Sequence, residues 1–115
     1  MQREICITVA GGHDLTAAFD PHFGRAPAFL LTDPAGADVS VIPNASADAP
    51  QGAGPRAAAA MGELGVRHVI AGHFGPKAES ALAAIGAAMW LAPEGLAAHE
   101  VLARFRDGAL PRHEP

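Results

Sequence analysis

Cysteine is nearly missing from this sequence: Cys6 is the one thiol in 115 residues. Its solitude excludes an internal disulfide, and also any zinc or iron–sulfur centre built from the cysteines of one chain. Cys6 itself lies in the apolar run Ile5–Ala10 and reads as a small core residue, because free cysteine is among the most buried residue types. Charge is scarce as well, at 17% of residues against 50% hydrophobic, which is a globular composition and not a disordered one. The formal net charge is −4 and no basic stripe interrupts it, so nucleic acid is not the expected partner. No apolar run reaches the length of a membrane span. The opening "MQREICITVA" moves directly into a strand pattern, with no basic stretch ahead of a cleavable apolar one. No membrane partner and a cytoplasmic location are therefore expected.

What is present is a sequence of short β-rich and alanine-rich segments divided by glycine and proline. Ile5–Ala10, Ala28–Asp33 and Asp38–Pro43 read as strands, the last two joined as a hairpin by Pro34-Ala35-Gly36. A polar loop over 44–54 leads to a helix over Arg56–Leu64, for which Pro55 suits the first turn and Gly65 the stop. Val66–Ala71 and Ala87–Ala92 then read as strands, Pro76–Ile85 as a helix, and Glu94–Arg106 as an amphipathic helix ended by Gly108. The expected fold is α/β: one domain over 1–108 with a mixed five-stranded sheet in the order β-β-β-α-β-α-β-α, and a frayed tail over 109–115.

One tripeptide occurs twice, His22-Phe23-Gly24 and His73-Phe74-Gly75. Strand polarity places both copies. The loop 11–26 leaves the end of the first strand, and the antiparallel second strand must start at that same edge. If the fourth and fifth strands run parallel to the first, the loops 72–76 and 93–95 emerge there too. Ligands of open sheets bind at the carboxyl ends of parallel strands, so this edge is the expected site.

The residues at this edge carry a resemblance. "DPHFGRAPAFLL" at 20–31, "QGAGPRAA" at 51–58 and "VIAGHFGPKA" at 69–78 stand in the order, and with the ending "FRDGAL", found in the dinitrogenase iron–molybdenum cofactor biosynthesis family (NifX/NifB C-terminal-like). The chain resembles that family over roughly residues 4–110. The resemblance implies a ribonuclease H-like fold and a non-enzymatic role: binding, carrying or storing a labile metal–sulfur cluster or its precursor, between cluster donor and acceptor proteins. It implies His22 as the favoured cluster-contacting residue. The second block departs from the family's usual "GNIGP" or "GGMGP" by offering His73-Phe74, which either adds a ligand or marks a subgroup with other cargo. Fe–S, Fe–Mo–S and the Mo–Cu–S cargo of an orange-protein-like subgroup all remain open.

The chemistry of such a site is consistent with these residue types. A cluster that must leave again is better held by one or two imidazoles than by four thiolates. Metal ligands are expected at His22 and His73, with His13 as a further candidate from the first loop. Because the cargo is anionic, the glycine-rich stretches Gly11-Gly12, Gly52–Gly54, Gly72 and Gly75, together with Gly24, are expected to turn backbone N–H groups toward it. Arg25, Arg56 and Lys77 are expected to add positive charge, and Phe23 and Phe74 to shield the metal. Arg25 and Lys77 should point inward, with Asp14, Asp20, Asp48 and Glu94 pointing away. His68, His99 and His113 are expected to be structural or solvated.

Two other classes fit less well. Two-metal nuclease chemistry needs carboxylates focused on strand centres, and the first strand has none. A phosphate- or nucleotide-binding regulatory module would suit the glycines, but "GGHD" and "GAGPR" match neither a P-loop nor GxGxxG.

Overall fold

A computed structural model describes residues 3–114. Its elements in chain order are β1 (Ile5–Val9), β2 (Ala28–Thr32), β3 (Val39–Pro43), α1 (Ala53–Leu64), β4 (His68–Ala71), α2 (Pro76–Ala84), β5 (Ala88–Leu91), α3 (Ala98–Arg106) and β6 (Arg112–His113). The strands form one mixed sheet in the order β3-β2-β1-β4-β5-β6. β1 runs antiparallel to β2 and parallel to β4, and β4 runs parallel to β5. The carboxyl ends of β1, β4 and β5 therefore share an edge, as strand polarity requires.

Both faces of the sheet are covered, and the period-2 alternation of side chains decides what goes where. Cys6, Phe29, Leu31, Val69 and Met89 point to the face packed by Ala57, Ala58 and Met61 of α1 and Ala78 and Leu82 of α2. Ile5, Ile7, Val9, Leu30 and Ile70 point to the face packed by Ala98, Val101 and Leu102 of α3. Strands buried on both faces explain the continuous apolar runs in the sequence. Small residues carry the close approach of α1 to the sheet, where Ala57 and Ala58 are fully buried. Cys6 is also fully buried, and burial pushes its thiol pKa well up, so it is an inert core residue as expected.

Four expectations are corrected. The sheet has six strands, not five: Arg112 and His113 pair with Trp90 and Met89. The segment expected to fray after residue 108 is held by Leu110, buried in the α3-side core, and by a hydrogen bond from Leu91 N–H to Pro111 C=O. Pro115 lies outside the described residues, as do Met1 and Gln2. α1 starts at Ala53, ahead of Pro55, with Gly52 in a left-handed conformation (φ 76°) just before it. Proline is tolerated there because amides of the first turn have no intrahelical acceptor. α3 starts at Ala98 and not Glu94, because Gly95 adopts φ 90° and cannot continue a right-handed helix. Among the described residues no helix is long and apolar enough to cross a membrane.

Candidate functional site

The two His-Phe-Gly loops meet. His22 and His73 form an isolated parallel β-bridge, and their imidazole centroids lie 5.8 Å apart with ring planes at 88°. Both side chains are exposed at the shared strand edge. What brings the loops together is the residue before each histidine. Pro21 C=O accepts hydrogen bonds from the N–H groups of Gly72 (2.8 Å) and His73 (3.2 Å). Gly72 has no side chain to obstruct this: a Cβ built on it would fall 2.4 Å from Pro21 Cβ.

The phenylalanines of the two copies turn inward. Phe23 and Phe74 are buried, with ring centroids 5.6 Å apart, and Phe23 continues to Phe29 of β2 at 6.2 Å. Each loop is thus anchored by an aromatic in the core while its histidine faces out. Phe74 is also covered by the His113 ring at 5.4 Å, and His113 Nε2 contacts Glu79 Oε2 at 2.6 Å. The segment after α3 therefore forms part of the support of the second loop.

Two depressions adjoin the pair. One, of about 360 Å³, is lined by Pro21, His22, Gly72, His73, Ala92, Pro93 and Glu94. The other, of about 410 Å³, runs from His73 past Phe23 and Arg25 to the first residues of α1 (Ala53, Gly54, Pro55) and of α2 (Pro76, Lys77, Ala78). His73 stands between them. Neither helix has a side-chain N-cap hydrogen bond, and α1 carries no acidic residue in its first turn. Two helix N-termini directed at one concavity give a region of positive potential built from backbone amides.

His22 has a carboxylate partner in Asp20. Asp20 Oδ1 accepts from the His22 backbone N–H at 2.9 Å and lies 3.0 Å from His22 Nδ1. The expectation that the top-loop acids point away is thus corrected at Asp20, and also at Glu94, which lines the smaller depression. The signal was available: an aspartate two residues before the histidine is the spacing of a side-chain-to-backbone turn.

The remaining candidates divide. Lys77 is exposed and lines the larger depression. Arg25 lines it too, but its Nη1 donates to the carbonyls of Ala47 (3.1 Å) and Ala49 (2.5 Å), so its guanidinium is engaged in clamping the loop before α1. Arg56 is exposed on α1 and lines neither depression. His13 is exposed beside Asp14 and also lines neither. The carboxyl of Asp14 is held below its usual range, first by the Thr16 hydroxyl that it accepts.

Most of the glycines serve packing. A Cβ on Gly12 would meet Ala17, one on Gly24 would fall 2.9 Å from Gly54 Cα, and one on Gly54 would fall 2.9 Å from Ala78 Cβ. Gly11 lines neither depression. The expectation that Gly72 offers its N–H to an anion is corrected, because that N–H is bonded to Pro21. Gly52 and Gly75, the residues ahead of the two helices, do line the larger depression.

No group of three or more His, Cys, Asp or Glu side chains that could hold a metal ion occurs among the described residues. His22 and His73 bring two exposed imidazoles to this edge, whereas structural zinc sites use four protein ligands.

Residues 3–108 match the family model described as dinitrogenase iron-molybdenum cofactor. The chain belongs to this family. The apo form of the orange protein from Desulfovibrio gigas is 34% identical, with a TM-score of 0.90 over 98% of this chain and 94% of that one. A putative NifB protein from Thermotoga is 30% identical, with a TM-score of 0.81 over 97% of this chain and 93% of that one. No curated protein matches the chain. Family membership supports a cofactor-related binding or carrier role, and the matched span includes both His-Phe-Gly loops and both helix N-termini.

Proposed function

We propose that this protein is a non-enzymatic carrier that holds an anionic metal–sulfur cluster reversibly at the edge where its two His-Phe-Gly loops meet. The observation that carries the reading is the His22–His73 bridge, two imidazoles 5.8 Å apart beside a depression walled by two helix N-termini. The imidazoles supply few, exchangeable metal bonds, while the amides, Lys77 and the apolar wall accommodate the charge of the sulfide body. Phe23 and Phe74 keep the loops in register from below. His22 and His73 are the proposed ligands, and His13 is not needed for the site.

The cargo is of Fe–Mo–S or Mo–Cu–S type, and the likeness to the orange protein favours the second. Donor and acceptor proteins for the cluster are the implied partners, the cytoplasm the implied compartment, and ribonuclease H-like the fold label that goes with this family. The test is anaerobic purification and reconstitution with elemental analysis and a visible spectrum. His22→Ala should lose most of the bound metal, His73→Ala should be intermediate, and His99→Ala on α3 should retain it. Equal metal content in wild type and His22→Ala would refute the reading.

A second reading has one observation in its favour: paired helix N-termini also suit a phosphate or nucleotide. Thermal stabilisation by nucleotides, together with a colourless and metal-free preparation, would select it.

A further inference from the structure

We propose that Asp20 is a positioning residue: it fixes the His22 ring in the tautomer that leaves Nε2 free, and so selects Nε2 as the atom that meets a metal. The inference rests on the carrier reading in assigning the metal to a cargo, but the tautomer can be measured without any cargo.

One oxygen makes both contacts. Asp20 Oδ1 accepts the His22 backbone N–H at 2.9 Å and stands 3.0 Å from His22 Nδ1. A carboxylate has no hydrogen to donate, so the hydrogen in the second contact resides on Nδ1. A neutral imidazole with its hydrogen on Nδ1 presents its lone pair at Nε2. Free imidazole side chains in water prefer the opposite tautomer, so the choice is imposed by the protein. A turn that merely shaped the loop would need only the backbone contact.

Asp20 is itself held by the sheet. Its N–H donates to Thr8 C=O at 3.0 Å, and its C=O accepts the Thr8 hydroxyl. Thr8 is fully buried in β1 and also reaches Ile70 C=O on β4 at 3.3 Å. The position of the His22 ring is therefore traced through Asp20 to the centre of the sheet. Exposure follows the same order: the Asp20 side chain is 21% exposed and the His22 side chain 58%, so the ring is held from within and open outward. Of the two bridged histidines only His22 is paired with a carboxylate among the described residues. That asymmetry makes His22 the oriented ligand and His73 the adaptable one. Carboxylate partners of this kind raise ligand basicity as well as orienting the ring, and losing one typically costs about 10–100-fold in metal affinity.

The test uses the full chain labelled with ¹⁵N and Zn²⁺ as an imidazole-seeking probe. In the wild type, long-range ¹H–¹⁵N spectra should show neutral His22 with its hydrogen on Nδ1, and Zn²⁺ should shift the Nε2 resonance. Asp20→Asn retains an acceptor oxygen and should keep the tautomer. Asp20→Ala should move the hydrogen to Nε2 and weaken Zn²⁺ binding about 10–100-fold, with the backbone amide spectrum otherwise unchanged. A wild-type His22 with its hydrogen on Nε2, or Zn²⁺ affinity unchanged in Asp20→Ala, would overturn the proposal. Should Asp20→Ala not fold, the wild-type spectrum decides by itself. Failure to load a cluster would fall on the carrier reading alone.

Discussion

Gly72 and Pro21 approach so closely that no side chain fits between them: a Cβ on Gly72 would stand 2.4 Å from Pro21 Cβ. Each is the chain neighbour of one bridged histidine, so this contact sets the His22–His73 spacing. Gly72→Ala forces the loops apart or strains both, an overpacking cost of about 1–3 kcal/mol. The variant should show a lower Tm and reduced cluster retention with both imidazoles still present. An unchanged Tm and unchanged metal content would show that the loops are held together by something else.

The electrostatic contribution is better tested at Lys77 than at Arg25. Arg25→Ala removes the clamp on the carbonyls of Ala47 and Ala49, so faster amide hydrogen exchange is expected across residues 44–52. Lys77 is the second residue of α2, and glutamate there favours the helix dipole by about 0.3–1 kcal/mol. Lys77→Glu should therefore leave Tm equal or slightly raised while weakening binding of an anionic cluster. Cluster binding unchanged in Lys77→Glu would remove charge from the account of the site.

What was legible in the sequence follows from how local each signal is. Strand and helix identities came from apolar periodicity and glycine punctuation, and the convergence of the two loops followed from strand polarity alone. Less legible were features that depend on neighbours distant in the chain. β6 has two residues and no periodicity, and exists because Leu110 anchors it beside β5. Gly24, Gly54 and Gly72 read as anion-binding amides, whereas their lack of a Cβ serves close packing, of loop on helix, helix on helix and loop on loop respectively. Arg25 read as a free charge because its acceptors, two carbonyls more than twenty residues away, leave no mark in the local sequence. Asp20 was the exception, a local signal that could have been read.

The segment after α3 is structural, and Leu110 tests that claim. Its side chain is packed in the α3-side core, so Leu110→Ala should cost about 2–5 kcal/mol in denaturant unfolding. His113→Ala should cost much less but should loosen Phe74, on which the ring lies, and be visible as broadened Phe74 resonances. A change near zero for Leu110→Ala would restore the frayed-tail reading.

The last prediction concerns pH, at the opposite edge of the sheet from the histidine pair. His68 opens β4, its Nδ1 accepts the Trp90 Nε1–H at 3.2 Å, and its ring packs 5.2 Å from Phe105. Desolvation holds its pKa below the unfolded value of 6.5; Arg112 and Arg67 lower it further, and Glu4 opposes them. A protonated ring carries a hydrogen on Nδ1 and can no longer accept from the indole. The sign follows from proton linkage: between the two pKa values the unfolded chain binds more protons than the folded one. The contribution of His68 is therefore complete above pH 6.5 and is lost as pH falls through the lower folded value. Tm measured from pH 7 to pH 5 should decline in the wild type and decline less in His68→Phe, which keeps the aromatic packing without the titration. Trp90 is the chain's one tryptophan, so its fluorescence should report the same transition. Parallel Tm profiles for the two proteins would show that His68 contributes nothing to the pH dependence.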